Sequence, residues 1–137
     1  MNSYRTLAHC TEAELSQLAL LILTEYSEGQ ITVLTAQQGM VMLRMRESVA
    51  SSQFNAGEIL VTEVKLELDG IPGFGMVIGG SNRKAMAIAL TDAAIRKGGE
   101  LAGRLEQEIA ALSQQLQTKR QKEFALIAKS KVDFELF

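Results

Sequence analysis

Two hydrophobic rhythms divide this chain. Its two ends carry apolar residues at helical spacing, and the middle alternates apolar and polar residues by twos. Thr11 followed by Glu14 has the form of a capping box, in which each side chain satisfies an amide at the helix start. Leu15, Leu18, Ala19, Ile22 and Leu23 then lie on one face, so residues 4–26 are predicted as helix, with Leu7 and Ala8 in a short helix ahead of the cap. Gly29 is the expected left-handed stop. Residues 31–36 read as a first strand, Gln37-Gln38-Gly39 as a short turn, residues 40–46 as a second strand and the polar stretch 47–56 as a loop. A third strand covers 58–68, with Val64, Leu66 and Leu68 on one face and Glu63, Lys65 and Glu67 on the other. Asp69-Gly70 is a hairpin signal. The fourth strand, 71–78, starts with the only proline, Pro72, which suits an edge position. Gly79-Gly80 breaks that strand, and Ser81 or Asn82 can cap a helix to about Lys97, with Met86, Ile88, Ala89, Leu90, Ala93 and Ala94 on its buried side. After Gly98-Gly99, Leu101, Leu105, Ile109, Leu112 and Leu116 mark a second helix from Glu100 to about Lys129. Residues 131–137 form an apolar tail.

This order predicts an α+β fold in one domain, 1–137. An N-terminal helix precedes a four-stranded antiparallel sheet, and two or more C-terminal helices pack on it. A Rossmann fold would need strands alternating with helices.

Composition narrows the function classes. The 137 residues are 47% apolar and 22% charged, an ordinary globular balance. Fourteen Lys+Arg against sixteen Asp+Glu give a net charge of −2, which disfavours nucleic-acid binding through phosphate neutralisation. One cysteine, Cys10, excludes a disulfide framework, and one histidine, His9, excludes a multi-histidine metal site within the chain, so no metal is expected. The apolar run 18–23 is too short to span a bilayer and follows an acidic stretch, so neither a membrane span nor a signal peptide is expected. A cytoplasmic protein is the expectation.

Three groups of residues could carry chemistry. The stretch Gly79, Gly80, Ser81, Asn82, Arg83 and Lys84, preceded by Gly73-Phe74-Gly75, could present amides and cations to a phosphate at a helix start. The bland alternative is a strand-to-helix turn, since neither the P-loop nor the dinucleotide pattern is present. Glu58 and Glu63 could be acid/base carboxylates, although Glu63, Lys65 and Glu67 facing Arg44 and Arg46 also suit a solvated charged face. His9-Cys10 is a poor reactive couple, because adjacent helical residues point about 100° apart. The methionines suit a core or an interface. No nucleophile with an evident base emerges, so a scaffold or interaction subunit fits better than a free-standing enzyme.

The chain resembles the PhnG family, the G subunit of the bacterial carbon–phosphorus lyase system. The resemblance runs in order through Leu7-Ala8-His9 with Glu14-Leu15, through Phe54-Asn55-Ala56-Gly57-Glu58 with Leu60-Val61-Thr62-Glu63, through Leu68-Asp69-Gly70 with Gly73-Phe74-Gly75 and Gly79, and through Ser130-Lys131-Val132-Asp133-Phe134. Phe74 stands where the family often has Trp or Tyr, and Gly80-Ser81-Asn82 where an acid often follows. The resemblance implies a transferase subunit of phosphonate metabolism and phosphorus assimilation, working with PhnH, PhnI and PhnJ and with PhnL. The reaction it implies displaces adenine from ATP by methylphosphonate, giving α-D-ribose 1-methylphosphonate 5-triphosphate. ATP would be the complex's substrate, with no cofactor held by this chain. Val132, Phe134, Leu136 and Phe137 are then expected to bind a partner. A different class, a non-catalytic small-anion-binding or regulatory homodimer, is the alternative.

Overall fold

A computed structural model describes residues 2–46 and 53–135. Helix α1 (Asn2–Ala8) and helix α2 (Glu12–Glu25) lead through a short 3-10 turn (Glu28–Gln30) into strands β1 (Ile31–Arg46), β2 (Gln53–Leu68) and β3 (Ile71–Ile78). Helices α3 (Asn82–Lys97) and α4 (Glu100–Glu135) follow. The strands form one antiparallel sheet in the order β1-β2-β3.

The capping box forms. The Thr11 amide donates to Glu14 Oε1 at 3.0 Å, and the Glu14 amide donates to Thr11 Oγ1 at 3.3 Å. Gly29 does not stop α2. The helix ends on Tyr26, whose backbone is extended (φ −113°, ψ 138°), and Gly29 lies inside the 3-10 turn without a positive φ. Ser27 and Gln30 cap that turn instead, with the Ser27 amide donating to Gln30 Oε1 at 2.9 Å.

Among the described residues the sheet has three strands, not four. Gln37, Gln38 and Gly39 do not turn; they pair with Glu63, Thr62 and Val61 as the middle of one long β1. The physical reason is the partner. The expected loop gives way to strand at Gln53, so β2 is as long as β1 and the ladder continues on both sides of Gly39. Residues 47–52 lie outside the described residues. Register shifts fall between Val33 and Thr35 and between Leu43 and Arg44, so the ladder runs unbroken from Thr35 to Leu43.

Asp69 (φ 51°) and Gly70 (φ 82°) both take the left-handed conformation that a tight β2–β3 hairpin requires. The turn is tied down. The Asp69 amide donates to the Gln30 carbonyl at 2.7 Å, and Lys97 Nζ donates to Asp69 Oδ2 at 2.6 Å while lying 4.4 Å from the centre of the Tyr26 ring.

The core lies between one sheet face and the helices. Thr62, Val64, Leu66 and Leu68 of β2 and Val77 of β3 point inward, as the alternation of β2 predicts. Helix α3 lies directly on β2 and β3. Its buried residues include Ala85, Ala87, Ile88, Ala89, Leu90, Ala93 and Ala94, which enclose it against the sheet, α2 and α4. Gly73 and Gly75 allow that approach. A Cβ on Gly73 would sit 2.7 Å from Ala93 Cβ, and one on Gly75 would sit 2.8 Å from the Ala89 nitrogen. These glycines are filled by helix α3, not by a ligand.

Two parts extend past this core. Every residue from Thr32 to Met42 is exposed, and β1 and β2 continue beyond the last β3 pair, Val61 with Ile78, by roughly 25 Å at the usual strand rise. Helix α4, at 36 residues, is about 54 Å long. Leu101, Ala102, Leu105 and Ile109 are buried, Leu112 and Leu116 half-buried, and residues 117–123 exposed. It also runs past the expected end near Lys129, so residues 131–135 are helix rather than a separate tail.

Candidate functional site

The strand-to-helix turn after β3 is held by its own bonds. Gly79 has φ 104°, its amide donates to the Leu60 carbonyl at 2.8 Å, and its carbonyl accepts from Thr62 Oγ1 at 2.7 Å. The Gly80 carbonyl accepts from Gln38 Nε2 at 3.1 Å. Ser81 is the N-cap, accepting from the Lys84 amide at 3.3 Å. Asn82 and Arg83 are exposed and Lys84 is half-buried. The turn therefore presents cations at a helix start, with its two glycine carbonyls already in use.

Glu58 and Glu63 do not come together. The unbroken register from Met42↔Glu58 to Gln37↔Glu63 places them five residues apart, on opposite faces of β2 and about 17 Å apart along the strand. Glu63 Oε1 lies 3.7 Å from Lys65 Nζ on the outer face. Arg44 and Arg46 pair with Asn55 and Gln53, far from that charged row.

His9 and Cys10 occupy the break between α1 and α2. Cys10 is 3% exposed, and its thiol donates to the Thr6 carbonyl at 3.2 Å. Burial, with Glu14 nearby, pushes its pKa up to about 11, so the sulfur stays protonated and is a poor nucleophile. His9 is exposed. The two are neighbours without being a couple.

The structure assembles a different polar cleft, between α1 and α4. Arg5, Thr6 and His9 line one side; Ser113, Leu116, Gln117 and Arg120 line the other, around about 260 Å³. Residues 113, 116, 117 and 120 share one face of α4 by helical spacing, and Arg5 and His9 are four apart. Arg5, Arg120 and His9 all line this space, with no carboxylate among its described lining residues. Such a set suits a phosphate- or phosphonate-sized anion, because guanidinium donates two parallel hydrogen bonds to such groups. Sequence reading passed over Arg5 and Arg120, since only packing of residues more than a hundred positions apart unites them. The available signal was Ser113, Gln117 and Arg120 beside Leu116 at the i, i+3, i+4, i+7 spacing of one helix face.

Of the residues expected to bind a partner, Val132 and Phe134 belong to α4, while Leu136 and Phe137 lie outside the described residues. Among the described residues no group of three His, Cys, Asp or Glu could hold a metal ion, and no helix is long and apolar enough to cross a membrane.

Comparison with known proteins adds one finding. No curated protein matches the chain. A family model described as phosphonate metabolism protein PhnG matches residues 2–137, essentially the whole chain. Every stretch that carries the resemblance, from Leu7-Ala8-His9 to Ser130–Phe134, falls within that match, and the chain belongs to the PhnG family, a subunit of the carbon–phosphorus lyase system of phosphonate metabolism.

Proposed function

We propose that this chain is an accessory subunit that acts with PhnH, PhnI and PhnL in forming α-D-ribose 1-methylphosphonate 5-triphosphate from ATP and methylphosphonate, in a core that also contains PhnJ. The family match over residues 2–137 carries the reading. Two observations support an accessory role over independent catalysis. The only thiol is buried and protonated, and the two candidate carboxylates lie on opposite faces of β2. Neither arrangement supplies the positioned acid and base that would contribute about 10²–10⁴-fold to a displacement. The part of α4 beyond Leu116, exposed over residues 117–123 and continuing through the helical positions Val132 and Phe134, is the proposed partner-facing segment.

Where the chain meets the anionic substrate, the α1–α4 cleft is the favoured contact. It gathers Arg5, His9 and Arg120 around one space, whereas the Gly79–Lys84 turn offers Arg83 and Lys84 at an exposed helix start. The test is reconstitution with the partner subunits, ATP and methylphosphonate, following adenine release and the triphosphate product. The chain alone should release no adenine above a heat-killed control. Arg5→Gln with Arg120→Gln should lower product formation by about tenfold in an intact assembly, the loss of one to two charged hydrogen bonds. Arg83→Gln with Lys84→Gln should lower it less. Adenine release by the isolated chain would overturn the accessory role; an unimpaired cleft variant would move the anion contact elsewhere.

A further inference from the structure

The two edges of the sheet are treated differently. On β3 the outward amides at positions 72, 74 and 76 are removed or occupied, and only that of Ile78, at the strand's end, has no such partner: Pro72 has none, the Phe74 amide donates to Asp92 Oδ2 at 3.0 Å, and the Met76 amide donates to Tyr4 Oη at 3.0 Å. Proteins close sheet edges in this way to prevent pairing with another chain. Edge β1 has no such closure among its described residues. The Gly79 amide bonds to Leu60 on the β3 side, so alternation turns the even positions of β2 towards β3 and the odd ones towards β1. The amides of Ala36, Gln38, Met40 and Met42 therefore point away from the sheet.

We propose that β1 pairs with β1 of a second copy of this chain, antiparallel about a two-fold axis at Gly39. Three observations choose this occupant. First, the unbroken ladder runs from Thr35 to Leu43, and Gly39 is its midpoint. Second, residues 31–43 contain no charge. Around that axis Gln38 faces Met40, Gln37 faces Val41 and Ala36 faces Met42. Arg44 and Arg46 fall opposite uncharged residues, so no like charges meet. Alternation also matches, since outward-pointing residues oppose outward-pointing ones only when the paired numbers sum to an even value, here 78. Third, the monomer gives Gly39 no reason to be glycine. Its φ is not positive, and a Cβ there would meet nothing within 4 Å. A glycine inside a strand weakens it unless another backbone comes close. At the axis the two Gly39 residues form a non-hydrogen-bonded pair, the closest approach an antiparallel ladder makes, about 4.5 Å between Cα atoms. The result is a closed isologous dimer with one six-stranded sheet. It also covers part of Met40, Val41 and Met42, which are 57%, 48% and 49% exposed in the single chain. This inference is independent of the substrate reading.

The experiment measures the mass of the full chain by sedimentation equilibrium at micromolar concentration. The wild type should weigh twice 14.9 kDa. Met40→Pro removes one outward amide without touching the β1–β2 ladder and should give a folded monomer by circular dichroism. Gly39→Lys has room in the monomer but sets two ammonium groups opposite each other, and should also be monomeric. Mixing Gly39→Lys with Gly39→Glu should restore the dimer mass, because only a two-fold at residue 39 opposes those side chains. A monomeric wild type overturns the proposal, including one that then recruits a strand from a different subunit. So does a dimer indifferent to Gly39→Lys, whether or not Met40→Pro folds.

Discussion

Cys10 couples a single side chain to the stability of the molecule. The thiol of the folded chain titrates near 11, against about 9.0 for an ordinary cysteine. Below pH 9 both states hold the proton, and the group gives stability no pH dependence. Between 9 and 11 the unfolded chain loses its proton first, so stability falls as pH rises, by about 3 kcal/mol in all. Urea midpoints at pH 8 and pH 10.5 should therefore separate more in the wild type than in Cys10→Ala. Equal separation would show that burial does not hold the thiol neutral. Gly75 acts by space alone. Gly75→Ala forces a methyl into the α3 backbone, where only helix displacement makes room, and should lower unfolding free energy by about 3 kcal/mol. Denaturant melts check this, and Gly103→Ala, with open space around it, is the matched control.

At the scale of elements, the features legible in sequence are the local ones. The capping box of α2, the inward face of β2, the Asp69-Gly70 turn and the edge placement of Pro72 each depend on residues a few positions apart, and each formed. Thr11→Ala should remove the α2 cap at a cost of about 1 kcal/mol, measured by thermal melting. What sequence could not reveal was non-local. Gln37-Gln38-Gly39 has turn composition, but β2 offers a partner on both sides of it, and a continuous ladder outweighs local preference. Gly73-Phe74-Gly75 resembles a ligand cradle, yet α3 occupies the space. Tyr4 gave no signal at all. Its hydroxyl crosses from α1 to accept from Met76, and Tyr4→Phe should both destabilise the chain by about 1 kcal/mol and leave one amide of β3 open. Sedimentation of Tyr4→Phe would then show mass above the wild type if that amide guards the edge.

At the scale of the whole molecule, a small core supports two long projections. The core is α3 between β2–β3 and α2, with the first turns of α4 against it. The ribbon of β1 and β2 and the later turns of α4, exposed over residues 117–123, reach past it, and two-stranded ribbons are marginal in water without a partner. The α1–α4 cleft sits where the second projection leaves the core, so a partner on α4 would also border the Arg5, His9 and Arg120 group.

The alternation of β1 has a consequence in time as well as space. Amides of Gln37, Gly39 and Val41 are held by β2, whereas those of Ala36, Gln38, Met40 and Met42 face outward. In a lone chain, deuterium should enter every second amide of this strand quickly, while those of the buried middle of α3, from Ala87 to Thr91, exchange only when the whole core opens. Occupation of the edge would slow the outward set alone. A zigzag of protection along one strand, read by nuclear magnetic resonance and smoothed at higher concentration, would thus report edge pairing without any substitution.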